Sequence, residues 1–359
     1  MAYYNITTSS SDGYTIPPDS SESALPDTAR EATSGRAFDS NNPIPVGCST
    51  PAYYHQTGWV GINNYKLYSG ATIRAGHRLT YGPAAIFNIT FALRRTGNPT
   101  GTAYCRLRKV NHGEPDDDSI LATFGEIDVS TITTDFGAGS YMFGDDYTLP
   151  SSYDVRFLIE YSGGDSNNYI EMFTDNDATS GDFTYYSGGS YSDDNTEDGN
   201  LRIHYVYYLY YRSFLFFDTS AIDDAETINE AKIRLYLQID NSDVDFDVIV
   251  QSGMPDYPGD PIVADDYDRA RYSGDGGSWN TSNWDSELGY ADIVLNATGR
   301  SWINKTGVTK FCLRSSRDID EIDPAMIDPG EWVLFKSQET GYGAYLMINK
   351  REFPPIQIV

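Results

Sequence analysis

Histidine and carboxylate side chains are the groups that could catalyse a reaction in this chain, and their spacing follows no catalytic pattern. The four histidines form neither an HExxH nor an HxH pair: His55, His77, His112 and His204. No GxSxG nucleophile elbow and no Walker or Rossmann glycine pattern occurs. The 52 Asp and Glu residues supply many carboxylate pairs of the glycosidase kind by composition alone, and none is favoured. The sequence therefore predicts a protein that is not an enzyme.

Three aspartates could bind a cation. Asp243, Asp245 and Asp247 alternate with Val244 and Phe246, so a strand would place the three carboxylates on one face. Carboxylate oxygens at that spacing can meet a calcium ion. The same pattern also describes a solvated strand face that discourages edge pairing. We expect no bound cofactor, with calcium at these three residues as the alternative.

Aromatic side chains are the candidates for ligand contact. Trp279 and Trp284 lie in a Gly/Ser/Asn-rich loop, and Tyr272 precedes it. A flat aromatic ring can stack on a sugar, which makes these three residues the predicted glycan contacts. The alternative is that the tryptophans close one end of a β-sandwich.

Composition narrows the class of protein. The net charge of −27 argues against binding of nucleic acid or of anionic lipid. The 29 tyrosines suit sheet faces, interfaces and sugar-contacting surfaces. Three widely spaced cysteines, Cys48, Cys105 and Cys312, follow no metal or disulfide pattern and are predicted to be buried free thiols.

Alternating hydrophobicity predicts an all-β protein. The longest apolar run, Tyr205 to Ile222, is predicted to be a buried central strand with the turn that follows it. Ile86 to Leu93 and Ala103 to Val110 alternate on either side of the turn 97–101, which predicts a β-hairpin. In the strand near Val155, Arg156 and Glu160 are predicted to face outward. No helix long enough for a βαβ unit is predicted.

Targeting signals are not evident. The first residues, MAYYNITTSS, have neither a basic region nor an apolar region of a secretory signal. No run approaches 18 apolar residues free of charge, so no membrane insertion is expected.

A family resemblance begins at RSFLFFDTSAI, residues 212–222, and continues through AETINEAKIRLYL, DFDVIVQSG, WNTSN and WVLFKS. This C-terminal part of about 150 residues resembles the DNRLRE domain family, jelly-roll β-sandwiches related to carbohydrate-binding modules. In that family a short strand segment directly precedes the RSFLFFD strand. Here SDGY, AREATSG and IPVG resemble that segment but lie at residues 11–47.

The resemblance implies two jelly-roll β-sandwich domains, one inserted into a loop of the other. Residues 1–47 would be the N-terminal segment of the outer jelly roll, 48–204 an inserted β-sandwich, and 205–359 the main part of the outer jelly roll. The inserted part resembles adhesion-type jelly-roll modules. The alternative is two sandwiches in tandem behind a disordered arm.

These observations lead to an expected function. We expect a non-enzymatic virion structural or adhesion protein of a tailed virus: a tail-fibre, baseplate or capsid-decoration component. It would form homo-oligomers or contact other virion proteins, and it would contact host-surface glycans. The alternatives are a carbohydrate-binding module of an extracellular cell-surface protein and a polysaccharide-degrading enzyme.

Overall fold

The computed structural model describes the following parts of the chain: residues 2–7, 13–16, 36–38, 44–49, 52–57, 63–82, 84–110, 118–135, 139–149, 153–175, 181–206, 208–324, 331–337 and 342–350. The chain divides into two compact units. The outer unit comprises Met1–Pro51 and Tyr208–Val359, and the inserted unit comprises Ala52–Tyr207. Among the described residues, no helix is long and apolar enough to cross a membrane.

Strands make up most of both units. In chain order they are β1 Ala2–Thr7, β2 Gly13–Ile16, β3 Arg36–Phe38, β4 Ile44–Ser49, β5 Ala52–Thr57, β6 Asn63–Leu67, β7 Thr72–Tyr81, β8 Ala84–Thr96, β9 Thr102–Lys109, β10 Ile120–Asp128, β11 Ser140–Leu149, β12 Tyr153–Glu160, β13 Tyr169–Asp175, β14 Asp182–Ser187, β15 Ser190–Asp194, β16 Asp198–Gly199, β17 Leu201–Val206, β18 Leu209–Asp218, β19 Ala231–Ser242, β20 Asp247–Gln251, β21 Ser278–Asn280, β22 Tyr290–Val294, β23 Val308–Ser315, β24 Glu331–Phe335 and β25 Tyr345–Lys350.

Helical segments are few and short in the described chain. Two α-helical turns occur in the outer unit, α1 Ala297–Ser301 and α2 Ser316–Ile319. Short 3₁₀ turns occupy Val129–Thr131, Ala264–Tyr267, Arg269–Arg271 and Thr281–Asn283. The predicted all-β fold with two β-sandwich domains is confirmed.

The inserted unit builds its sheets from β5 to β17. Pairing follows the order β10-β9-β12-β7-β6-β13-β8-β17-β5, with β11 beside β8, β14 beside β7, β15 beside β14 and β16 beside β13. Alternate side chains of these strands, including Leu107, Phe157, Ile170 and Ile203, are fully buried in one hydrophobic core. Burial of such side chains contributes about 1.5–3 kcal/mol each and is the main source of stability for the sandwich.

The predicted hairpin at residues 97–101 is wrong. Strand β8 pairs with β11, β13 and β17, whereas β9 pairs with β10 and β12. The turn therefore carries the chain between strands that are separated in the sheet order. Both strands do alternate as expected, because a buried face requires a period of two whatever the neighbouring strand is.

The outer unit uses strands from both ends of the chain. Its order is β1-β25-β19-β24-β4-β18-β23-β20-β21, with β22 beside β19, β2 beside β18 and β3 beside β2. Its core contains Val46, Phe217, Leu235, Ile293 and Val333, and each of these side chains is at most 1 % exposed to solvent.

Strand β4, which contains the IPVG sequence, lies between β18 and β24. Gly47 is required in it, because a Cβ atom there would stand 2.1 Å from the Glu331 carbonyl oxygen, and its φ is +123°. The AREATSG sequence at residues 29–35 lies outside the described residues.

The aromatic run that begins at Tyr205 is split between the units. Its first residues end β17, and β18 starts at Leu209. Strand β18 is buried on both faces: Leu215 and Phe217 join the outer unit's main core, and Phe214 and Phe216 pack in a second, smaller cluster. This explains why the run lacks the alternation of a half-buried strand. The three cysteines are free and buried, as predicted.

Candidate functional site

The two tryptophans of the predicted glycan site lie close together in the outer unit. The ring centroids of Trp279 and Trp284 are 6.3 Å apart, and Trp279 also meets Phe335 edge-on at 6.2 Å. Both indole rings are half-buried and pack against the main core. The arrangement secures the loop to the sandwich and leaves part of each ring in contact with solvent.

Tyr272 does not share that surface. Its ring is 4 % exposed and packs in the smaller cluster with Phe214, at 5.4 Å between centroids, and with Cys312. Burial raises the pKa of the Tyr272 hydroxyl, and the Cys312 thiol adds to the shift. A ligand could contact this ring only after the residues above it had moved.

The three aspartates predicted as a calcium site are not on one strand. Only Asp247 belongs to β20, and Asp243 and Asp245 lie in the connection that precedes it. The carboxylate of Asp245 accepts a hydrogen bond from Thr281 Oγ1 at 3.0 Å, and that of Asp247 accepts one from Asn280 Nδ2 at 2.8 Å. These two aspartates therefore hold the tryptophan loop. Within the described ranges, no group of three His, Cys, Asp or Glu residues is placed to bind a metal ion.

A buried ion network lies beside the smaller cluster. Arg212, which is 0 % exposed, donates from Nε and Nη2 to Asp318 at 2.9 Å each. Arg314 donates to the same carboxylate at 2.7 Å and to Gln251 at 2.9 Å. Burial alone would raise the pKa of Asp318, but the charges of Arg212 and Arg314 outweigh it and hold that pKa well below its usual value. The network has no opening to solvent, so its role is structural.

One face of the inserted unit concentrates charged side chains in a way that the sequence analysis did not identify. We call it the arginine face. It consists of five arginines and the four carboxylates they contact: Arg74, Arg78, Arg106, Arg108 and Arg156 with Asp118, Asp154, Glu160 and Asp193. Most of them lie on β7, β9, β12 and β15. Side chains at alternate positions of adjacent strands share one face, which brings these residues together.

The pairing register of β7, β12 and β9 places charged residues on neighbouring strands directly beside one another. Arg156 of β12 lies opposite Arg108 of β9 and Arg78 of β7, and Glu160 lies opposite Arg74. Glu160 accepts from Arg106 at 2.7 Å and also from Arg108. Like charges directly opposite would be destabilising on their own. The carboxylates between them make the arrangement favourable.

The other half of the arginine face is held by Asp193. Its carboxylate accepts from Arg78 at 2.6 Å, from Arg156 at 3.1 Å and from the Thr184 hydroxyl at 2.6 Å. Burial alone would raise the pKa of Asp193, but the hydrogen bond from Thr184 and the charges of Arg156 and Arg78 lower it. The carboxylate is therefore charged at neutral pH.

Tyrosine rings border the arginine face on the β14–β15 hairpin. The guanidinium of Arg156 lies 4.0 Å from the centroid of the Tyr191 ring, and that of Arg74 lies 4.6 Å from the Tyr186 ring. The Tyr191 hydroxyl donates to Asp118 at 2.8 Å and accepts from Arg74 at 2.9 Å. Cation–π contacts of this kind contribute about 0.5–2 kcal/mol each and fix the orientation of both partners.

A second aromatic surface, the tyrosine patch, lies on the outer unit. It is formed by Tyr236, Tyr290, Tyr342 and Tyr345, with Tyr236 in edge-on contact with each of the others at 5.4–6.5 Å. Two cations lie over its rings: Arg234 is 3.6 Å from the Tyr290 centroid, and Lys336 is 4.3 Å from that of Tyr342.

No known protein-family model matches the chain, and no curated protein matches it. The DNRLRE resemblance therefore stays a prediction, and function has to be argued from the surfaces themselves.

A sequence signal for the arginine face did exist. Arg156 and Glu160 of β12 were predicted to face away from the core, and both belong to the arginine face, although each is only 8 % exposed. The alternation of β9 was predicted without a choice of face. What the sequence does not state is that β7 lies beside β12 and adds Arg74 and Arg78 to the same face. That adjacency joins residues about 80 positions apart, and only the fold shows it.

Proposed function

We propose that this chain is a non-enzymatic structural and adhesion protein that contacts surface saccharides. The arginine face carries this proposal. It combines charged hydrogen-bonding groups held in fixed positions with tyrosine rings at its border, on the side of the sheet that faces away from the hydrophobic core. Recognition surfaces are built in this way, because polar groups give direction to the contact and tyrosine rings give area at low entropic cost.

The proposed setting is the virion of a tailed virus, as a tail-fibre, baseplate or capsid-decoration component. The DNRLRE resemblance and the pairing of two β-sandwich units support it. Homo-oligomers or other virion proteins are the proposed partners. The tyrosine patch supports self-association, because tyrosine rings are enriched at protein interfaces. Lys336 lies over one of its rings, whereas Arg234 is paired with Asp292.

Two measurements on the full chain test the proposal. Light scattering gives the oligomeric mass, which we expect to exceed that of the 40.0 kDa chain at physiological salt, where repulsion between acidic copies is screened. A glycan array with neutral, acidic and amino sugars tests saccharide contact, and we expect binding to at least one class. A monomer that binds no glycan would overturn the proposal. Release of reducing ends from those glycans would show an enzyme instead.

A further inference from the structure

We infer that the arginine face binds an uncharged saccharide through pairs of neighbouring hydroxyl groups. The inference rests on the proposed function and adds the class of ligand and the residues at the centre of the site. These residues are Arg78, Asp154 and Asp193, with Tyr186 at the border. Arg156 is 9 % exposed and lies against the Tyr191 ring, so it positions Asp193 and does not contact the ligand.

The central residues place donors and acceptors side by side. Arg78 lies between two carboxylates: Nε donates to Asp154 at 3.1 Å and Nη1 donates to Asp193 at 2.6 Å. A sugar hydroxyl both donates and accepts, so one hydroxyl can donate to a carboxylate while its neighbour accepts from the adjacent guanidinium. The described contacts of Arg78 use Nε and one N–H each of Nη1 and Nη2, which is three of the five donors of a guanidinium.

Charge balance favours an uncharged ligand. The five arginines of the face contact four carboxylates, and Asp182, opposite Arg78 in register, brings a fifth to the same side. The arginine charges are therefore matched by carboxylates within the face itself, which leaves no excess positive charge to attract an anion. An anionic sugar would bring a further negative charge beside Asp154 and Asp193, which already neutralise Arg78, and like charges at that distance repel.

The groups are already held in position before binding. Arg156 is 9 % exposed, whereas the side chains of Arg78 and Asp193 are 20 % and 22 % exposed. The edges of the Arg78 and Asp193 side chains therefore reach solvent, while ion pairs fix the orientations of both side chains. A ligand that meets fixed groups loses less conformational entropy on binding than one that must order them.

The size of the face fits a short saccharide better than a protein. The face spans five strands that lie about 4.8 Å apart, and it extends over about four residues of 3.3 Å along each strand. Its area is therefore about 250 Å². A stable protein partner covers about 800 Å² on each side. Tyr186 is half-buried and lies at one edge of the face, where the apolar side of a sugar ring can rest on it.

Binding of the full chain to neutral polysaccharides tests the inference. The probes are dextran, a β-glucan and a galactomannan, with polygalacturonate as the acidic comparison, measured by calorimetry or affinity electrophoresis. Arg78→Gln and Tyr186→Ala change the face. Arg202→Gln and Tyr68→Ala are matched controls in the same unit, on β17 and before β7. Thermal melting of every variant checks that it is folded.

We expect binding to at least one neutral probe, weakened at least tenfold by both face variants and less than twofold by both controls. If Arg78→Gln does not fold, Tyr186→Ala alone decides the test, since it removes only a border ring. Glycan binding that survives both face variants, or that prefers polygalacturonate, would overturn the inference and leave the adhesion function standing. Binding to no glycan at all would overturn the inference and, if the chain is also a monomer, the proposed function with it.

Discussion

Removal of the Asp318 carboxylate should destabilise the outer unit strongly. The side chain is 1 % exposed and accepts three charge-assisted hydrogen bonds from Arg212 and Arg314, which are 0 % and 4 % exposed. Asp318→Ala leaves two buried guanidinium groups without that counter-charge. Breaking a buried pair from one side costs about 3–5 kcal/mol. With a slope of about 2 kcal/mol per molar urea, the unfolding midpoint should fall by about 2 M.

Tryptophan fluorescence during urea unfolding measures this change. Four of the five tryptophans, Trp279, Trp284, Trp302 and Trp332, belong to the outer unit, so the signal reports mainly on it. The matched control is Asp256→Ala, an exposed aspartate, whose replacement should change stability by at most about 0.5 kcal/mol.

Arg212→Met provides a second check on the same network. It leaves Asp318 paired with Arg314, so it should cost less free energy than Asp318→Ala. The reasoning would be refuted if Asp318→Ala cost less than about 1 kcal/mol, against the 3–5 expected for a buried ion. It would also be refuted if Arg212→Met proved the more damaging change.

Three further predictions concern other parts of the chain. Burial opposes the low pKa of Glu160, but hydrogen bonds from Arg108 and Arg106 lower it. The contribution of the Glu160 carboxylate to stability is therefore complete above its unfolded pKa of about 4.3 and is lost as the pH falls below that value. Hydrogen exchange in the inserted unit should show this loss of stability in acid, and the loss should be smaller in Glu160→Gln. Gly47→Ala should destabilise the outer unit by several kcal/mol, because the new methyl group meets the Glu331 carbonyl in a conformation that favours glycine; an unchanged melting temperature would contradict the β4 placement. Trp279→Ala should lower the outer unit's stability by about 1–3 kcal/mol, because the ring is half-buried, and calorimetric unfolding that matched the parent would show that the ring does not pack on the core.

Much of the fold was predictable because burial of one strand face makes apolar residues recur at every second position of the sequence. The alternation in residues 86–93 and 103–110 predicted strands that overlap β8 and β9, and in β12 it also predicted which side chains face away from the core. Pairing partners were harder: the turn 97–101 suggested a hairpin, but a turn sequence does not determine which strand the chain joins next. Similarly, Asp243 and Asp245 alternate like strand residues, yet β20 begins only at Asp247. Local pattern cannot distinguish an extended connection from a strand that has a partner.

The candidate site was less predictable than the fold. Single aromatic residues were chosen for their type, and Tyr272 proved to be 4 % exposed because its burial depends on segments distant in sequence. The arginine face depends on the adjacency of β7, β12 and β9. Such a surface is a property of sheet order, which no short motif encodes.

The position of β4 has a consequence for how the chain is made. This strand lies between β18 and β24, and Ser49 pairs directly with Leu209. A ribosome synthesises β4 first, β18 about 160 residues later and β24 about 280 residues later, at roughly 5–20 residues per second. The inserted unit is complete by then and can fold, while β4 still lacks both neighbours. The order of synthesis therefore favours folding from the middle of the chain outward, with the outer sandwich closing last.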